Sequence, residues 1–214
     1  MPRTASEYHQ RVSSDKRAAI LTSARTLFTR SGYDKTSLAR VADEAGVSTA
    51  TVFKQFPNKA ALFEALVLDF WTEVEVAGPA PTEGDPASGL SALGTRYAAL
   101  LLRDGMAGLF RLVIAEAPQF PELARIQFDL GKAPFFDEVR RYVEAEHALG
   151  SLRVEDPEMA CTQFLGMIAN YVLWPRMLLV DFALPADRVQ DVVESAVLTF
   201  LARYDSTQAA ETLS

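Results

Sequence analysis

Apolar residues return three or four positions apart in segment after segment of this chain, and nowhere do they alternate with polar ones over the length of a strand. A period near 3.6 buries one stripe of a helix and a period of two buries one face of a sheet, so the pattern restricts the chain to helices packed on helices. Ala18, Ile20, Leu21, Ala24, Leu27 and Phe28 predict a first helix over about 15–31, started after the cap candidates Ser13 and Ser14 and stopped at Gly32. Leu38, Val41, Ala42 and Ala45 predict a second, capped by Ser37 and ended at Gly46. Ser48 can cap a third over about 49–56, with Val52 and Phe56 inward, and Asn58 a fourth over about 58–76.

The Gly/Pro-rich stretch AGPAPTEGDPASG then predicts a linker or long loop. Helices are expected beyond it at about 87–103, 105–117, 120–148 (with Gly131 and Pro134 as places to break), 157–180 and 186–204. Asp156 and Pro157 mark the start of the 157 helix. The expected fold is all-α with about nine helices: a three-helix helix-turn-helix domain followed by a helical bundle. Its divisions are a flexible arm at 1–14, the helix-turn-helix domain at 15–59 with 58–76 as connector, the bundle at 60–204 and a flexible tail at 205–214.

Composition narrows the function classes. With 49% apolar and 23% charged residues, the 214-residue chain suits a globular protein, and no apolar run reaches the length of a membrane span. An N-terminus without an apolar segment leads us to expect a cytoplasmic location and no membrane partner. Cys161 is the sole cysteine and sits in an apolar run, which suits a small buried hydrophobe better than a redox sensor. His9 and His147 are the only histidines, so no metal site and no cofactor are expected. There is no nucleophile motif and no Gly-rich phosphate loop, and carboxylates such as Glu116 and Asp181 stand singly; an enzyme is not expected.

Charge is uneven. Residues 1–59 hold ten Lys/Arg against five Asp/Glu, net +5, while the remainder is net −12 within a total of −7. A basic end that meets a polyanion would look like this, and so would a chance cluster of solvated charges.

The stretch VADEAGVSTATVFKQFPNK, residues 41–59, is more specific. Two helices joined by a short glycine turn, the second presenting small polar side chains, form a helix-turn-helix, and a helix of that width fits the major groove of B-DNA. Ala42 suits the helix crossing, Gly46 the turn, and Val47 and Val52 the anchoring of the second helix. Thr49, Ala50, Phe53 and Gln55 are then the expected base readers, Gln55 by a bidentate contact to adenine. Thr36, Ser37, Thr51, Lys54 and Lys59 are the expected phosphate binders.

The run from ILTSARTLF through SGYDKTS and VADEAGVS to TVFKQFPNKAALF, within residues 15 to about 66, resembles the N-terminal DNA-binding domain of TetR-family transcriptional regulators. Members often carry an aromatic pair after the Thr and an aromatic or His ahead of the last Phe; here Phe53, Lys54 and Gln55 stand instead, so no operator sequence carries over. AGLFRLVIAEAPQFPELARIQFDLG resembles the C-terminal domain of the AefR-like subgroup, over about 105–203. That resemblance implies a ligand-binding and dimerisation domain.

The expected function is therefore a homodimeric, ligand-responsive regulator, a repressor released from a palindromic double-stranded operator by a small apolar effector. The rivals are an enzyme with a fused helical domain and a helical adaptor that binds only protein. Pocket candidates are Met106, Phe110, Phe128, Phe164, Met167, Tyr171 and Trp174 for walls, with Arg111, Glu116 and Asn170 as polar groups. Leu165, Ile168 and Val172, with Val189, Val193, Val197 and Phe200, are the expected dimer stripe.

Overall fold

A computed structural model describes residues 5–71, 81–179 and 181–206. Its helices are α1 (Ala5–Ser31), α2 (Leu38–Glu44), α3 (Thr49–Gln55), α4 (Lys59–Trp71), α5 (Pro86–Leu102), α6 (Met106–Glu116), α7 (Pro121–Ile126), a π-helical turn (Gln127–Lys132), α8 (Ala133–Leu149), α9 (Pro157–Val172), α10 (Trp174–Leu178) and α11 (Ala186–Tyr204). The fold is all-α, with only an isolated antiparallel bridge from Leu152 to Asp205 among the described residues. None of the described helices is long and apolar enough to cross a membrane.

Two expectations need correction. Helix α1 begins at Ala5 and runs straight through Ser13 and Ser14, so the predicted arm is helical over residues 5–14; no Gly or Pro lies between Ala5 and Ser31 to interrupt it. The 120–148 helix divides near the places named for a break, into three pieces, because Pro134 has no N–H to donate backward and the chain widens into a π turn around Gly131 just before it. The 157–180 helix breaks at Leu173, two residues before Pro175, for the same reason. Those divisions raise the helix count above nine. The predicted extension of α4 to residue 76 and most of the tail lie outside the described residues.

The chain forms two compact units that do not follow the expected boundary at 59/60. The first takes in residues up to Phe70 together with Gly108–Gly131. Its core holds Ile20, Ala24, Leu27 and Phe28 of α1, Val41 and Ala42 of α2, Val52 of α3, and Leu62 and Phe63 of α4, all at or below 1% exposure. Each large side chain buried this way is worth about 1.5–3 kcal/mol. The Tyr33 ring joins Phe28, Phe63 and Phe120 at centroid separations of 5.4, 5.8 and 5.2 Å, which ties residues 108–131 into this unit.

The second unit covers residues 71–107 and those from 132 onward. Helices α5, α8, α9 and α11 pack around Leu93, Leu101, Val139, Val143, Phe164, Ile168 and Phe200. Gly94 permits a close approach, since a methyl there would sit 2.9 Å from Val193 Cγ1 and 3.1 Å from both Ile168 Cδ1 and Phe164 Cζ. Glu146 is fully buried but satisfied: its carboxylate accepts from the Gly84 N–H at 2.8 Å and from the Ser151 hydroxyl. Arg176 of α10 donates to Leu101 O at 2.8 Å, fixing the helix that follows the Leu173 break.

Candidate nucleic-acid interface

The site is built from local rules. Ser37 Oγ accepts from Arg40 N–H at 3.2 Å and opens α2. At the other end Gly46 takes φ +64°, its N–H donating to Asp43 O at 3.2 Å while Val47 N–H donates to Ala42 O at 3.0 Å. That pair of bonds is a Schellman closure, which needs a left-handed residue where Gly46 stands. Two residues later Ser48 Oγ accepts from Thr51 N–H at 3.2 Å and starts α3. Val52 at 0% and Phe56 at 2% exposure pin α3 from below.

One edge of α3 is thereby left outward: Thr49, Ala50, Phe53 and Lys54 are exposed, Phe53 by 51%. A large aromatic that open, next to two small residues and a cation, is unusual on a helix whose other face is sealed. Of the expected base readers, Thr49, Ala50 and Phe53 thus share a surface. Gln55 does not stand with them: it is half-buried, and its Oε1 is enclosed without a hydrogen-bond partner. The reason is position, since Gln55 falls on the turn where α3 bends back toward Phe56.

The expected phosphate binders also divide. Lys54 and Ser37 are exposed, and Thr51 is half-buried with its hydroxyl 2.8 Å from Ser48 Oγ. Thr36 is corrected: it is 2% exposed and its hydroxyl donates to Gly32 O at 2.8 Å, closing the α1–α2 turn. Lys59 is corrected too. Its ammonium donates to Tyr33 O at 2.8 Å and Asp34 O at 3.1 Å and lies 4.3 Å from the Tyr33 ring centroid. Burial lowers the Lys59 pKa, and the Asp34 and Glu116 charges oppose that shift.

Glu116 is the residue whose role the sequence hid. Expected in a ligand pocket, it instead accepts the Tyr33 N–H at 2.9 Å from 83 residues away. Its carboxylate lies over Gly32, which takes φ +83°. The α1–α2 turn is thus held through its amide by Glu116 and through its carbonyls by Lys59. Burial, with the Glu122 charge, pushes the Tyr33 hydroxyl up to about 12, so the ring stays neutral in the cluster.

The remaining pocket candidates divide between the units: Phe110, Arg111 and Phe128 fall in the first with Glu116, and the other six in the second. Met106 and Phe164 are fully buried core, Phe164 packing edge-on to Phe200 at 5.7 Å. Phe128, Asn170, Tyr171 and Trp174 are exposed, with Tyr171 Oη accepting from Arg188 at 3.3 Å; Phe110, Arg111 and Met167 are half-buried. The polar group that reasoning from sequence missed is Gln127, 4% exposed in the π turn with neither amide atom hydrogen-bonded.

The expected dimer stripe is corrected as well. Leu165, Ile168, Val172, Val193, Val197 and Phe200 are all below 7% exposure within one chain, and Val189 is half-buried. The stripes of α9 and α11 face each other and α5, because a period of 3.6 marks a buried face without saying what covers it.

Comparisons with known proteins agree with this architecture. Residues 20–66 match the tetR family of bacterial regulatory proteins, and residues 88–206 match the AefR-like transcriptional repressor C-terminal domain. Among curated relatives, the HTH-type transcriptional repressor Rv1474c of Mycobacterium tuberculosis is 33% identical over 51% of this chain and 46% of its own length. The HTH-type transcriptional regulator RutR of Escherichia coli K12 is 39% identical over 28% of this chain and 30% of its own. The matches thus span less than half of either relative.

Solved structures extend further. A TetR family transcriptional regulator from Pseudomonas syringae pv. tomato has a TM-score of 0.71 at 26% identity, covering 89% of this chain and 96% of its own. The Flavonoid-responsive Regulator FrrA has a TM-score of 0.69 at 25% identity, covering 89% and 97%. The helix-turn-helix geometry, the bundle and these matches together place the chain in the TetR family of transcriptional regulators, with a C-terminal domain of the AefR-like type.

Proposed function

We propose that the chain is a homodimeric, effector-responsive repressor that reads a palindromic operator with α3. The exposed Thr49, Ala50, Phe53 and Lys54 edge carries this reading, because it is the size of a major-groove contact and sits on a helix locked by Val52 and Phe56. Thr49 offers a hydroxyl and a methyl to base edges, Ala50 lets the helix approach closely, and Lys54 and Ser37 meet phosphates. A single such helix makes few contacts, so two copies reading half-sites about 34 Å apart supply the affinity.

For the dimer we assign the outer faces of α9 and α11 instead of the buried stripe. Met159, Gly166, Leu198 and Ala202 are exposed there, Leu198 by 61%. Gly166 has nothing near its Cβ position, which suits close helix packing between copies.

An effector that prefers the arrangement with mismatched heads lowers DNA affinity by the same factor by which DNA lowers effector affinity. The likeness to a flavonoid-responsive regulator makes a planar aromatic effector the first to assay. Selection of bound duplexes from random-sequence DNA tests the whole reading: an inverted repeat is expected, and enrichment of no sequence would reject it.

A further inference from the structure

A side-chain amide shut away from water normally finds partners, and Gln127 has none. It is 4% exposed, and neither Oε1 nor Nε2 is hydrogen-bonded among the described residues. Gln55 and Trp71 also carry an enclosed polar atom without a partner, but one each. A leucine of similar size at 127 would avoid the desolvation cost altogether, so the amide works against the stability of the free chain.

Gln127 opens the π turn Gln127–Lys132, a widened helical turn of a type that recurs at functional sites. Leu123 and Gly131 stand in its row of the helix, one turn before it and one after. Leu123 is fully buried, and Gly131 is buried and carries no side chain, so the row supplies no polar group to the amide. A trapped water needs about three hydrogen bonds, and the side chains of this row offer it only the amide. Flanking the row are Phe128 and Leu130, 56% and 36% exposed. Large apolar side chains beside one enclosed polar group make up a small-molecule site, the first for contact area and the second for orientation.

The amide also specifies what it takes. Oε1 accepts and Nε2 donates from neighbouring positions in one plane. A ligand meeting both carries a donor beside an acceptor. It is neutral at that edge, because an ionised carboxylate would leave Oε1 without a donor and an ammonium would leave Nε2 without an acceptor. Planar lactams and carboxamides present such an edge.

We infer that Gln127 is the orienting polar group of a ligand site in the first unit, making two hydrogen bonds to a flat, neutral molecule with a lactam or carboxamide edge, while Phe128 and Leu130 supply apolar contact. That this ligand is the effector rests on the effector-responsive reading above.

The test takes the full-length protein and two planar lactams, carbostyril and phenanthridinone, each beside its N-methyl derivative, which keeps the carbonyl and loses the donor. By isothermal titration calorimetry the wild type should bind each N-methyl form about tenfold or more weakly than its parent, since Oε1 is then left unpaired. Gln127→Leu should bind parent and derivative alike. If that variant loses helicity by circular dichroism, Gln127→Met decides. No binding of either lactam to the wild type at millimolar concentration, equal affinity for parent and derivative, or a preference that survives Gln127→Leu overturns the inference; the last, with a lowered Tm, would mean that the amide holds a buried water only. Fluorescence anisotropy of the selected duplex separates the two readings. Release of DNA by planar compounds regardless of N-methylation keeps the effector reading and overturns this site, whereas Gln127-dependent lactam binding that leaves DNA affinity unchanged keeps the site and overturns its effector role.

Discussion

Gly32→Ala and Gly46→Ala impose similar backbone strain but differ in what the new methyl meets. Both glycines sit in the left-handed region, at φ +83° and +64°, where an L side chain costs about 1–2 kcal/mol. At Gly46 no atom lies within 4 Å of the added carbon, so strain is the whole penalty. At Gly32 the carbon would stand 2.6 Å from Glu116 Oε1, and the carboxylate must swing away. It then gives up the 2.9 Å bond from Tyr33 N–H, and Tyr33 is only 4% exposed, so water does not replace it.

A hydrogen bond to a charged group is worth about 1.5–3 kcal/mol, giving a total near 2.5–5 kcal/mol for Gly32→Ala against 1–2 for Gly46→Ala. The loss of unfolded-state freedom is common to both and cancels in the comparison. Urea unfolding with a constant m value measures the difference, and a Glu116→Ala background isolates its origin. In that background the two alanines should cost the same to within about 0.5 kcal/mol. Equal costs in the wild-type background, or an excess at Gly32 that survives Glu116→Ala, would refute the clamp.

The two lysines of the helix-turn-helix should separate. Lys54→Ala should lower the salt slope of DNA binding by about 0.9 per protomer with little change in stability. Lys59→Met should do the reverse, destabilising by about 1–3 kcal/mol because Tyr33 O and Asp34 O lose their donor, with the slope kept. Gln127→Leu removes a buried amide with no partner and should raise Tm, at roughly 2–4 °C per kcal/mol for a chain of this size; a fall in Tm would show that the amide is satisfied. Burial raises the Cys161 thiol from 9.0 to about 12, so native protein at pH 8 should resist Ellman's reagent until unfolded. The folded state holds that proton more tightly than the unfolded one, so the associated stability is present below pH 9 and lost as pH rises toward 12.

The legible part of this protein was the part ruled by neighbours in the chain. Ser37, Ser48 and Asp156 were readable as caps, and Gly46 as a turn, because each bonds groups within three residues or relieves strain at its own φ. Val52 and Phe56 were readable as anchors from spacing, which also left Thr49, Ala50, Phe53 and Lys54 outward. The same spacing showed that α9 and α11 each bury a stripe.

It could not show what covers that stripe, and here the partners are each other and α5 within one chain. Nor could it assign Thr36, Lys59 or Glu116, polar residues whose partners are fixed only when the chain folds back on itself. Glu116 meets Tyr33 across 83 positions and Lys59 reaches it across 26. Periodicity and caps are properties of a single helix and survive in the one-dimensional order of residues. Which charge reaches which backbone group depends on how helices pack, and that is settled by the tertiary balance of burial against hydrogen bonding.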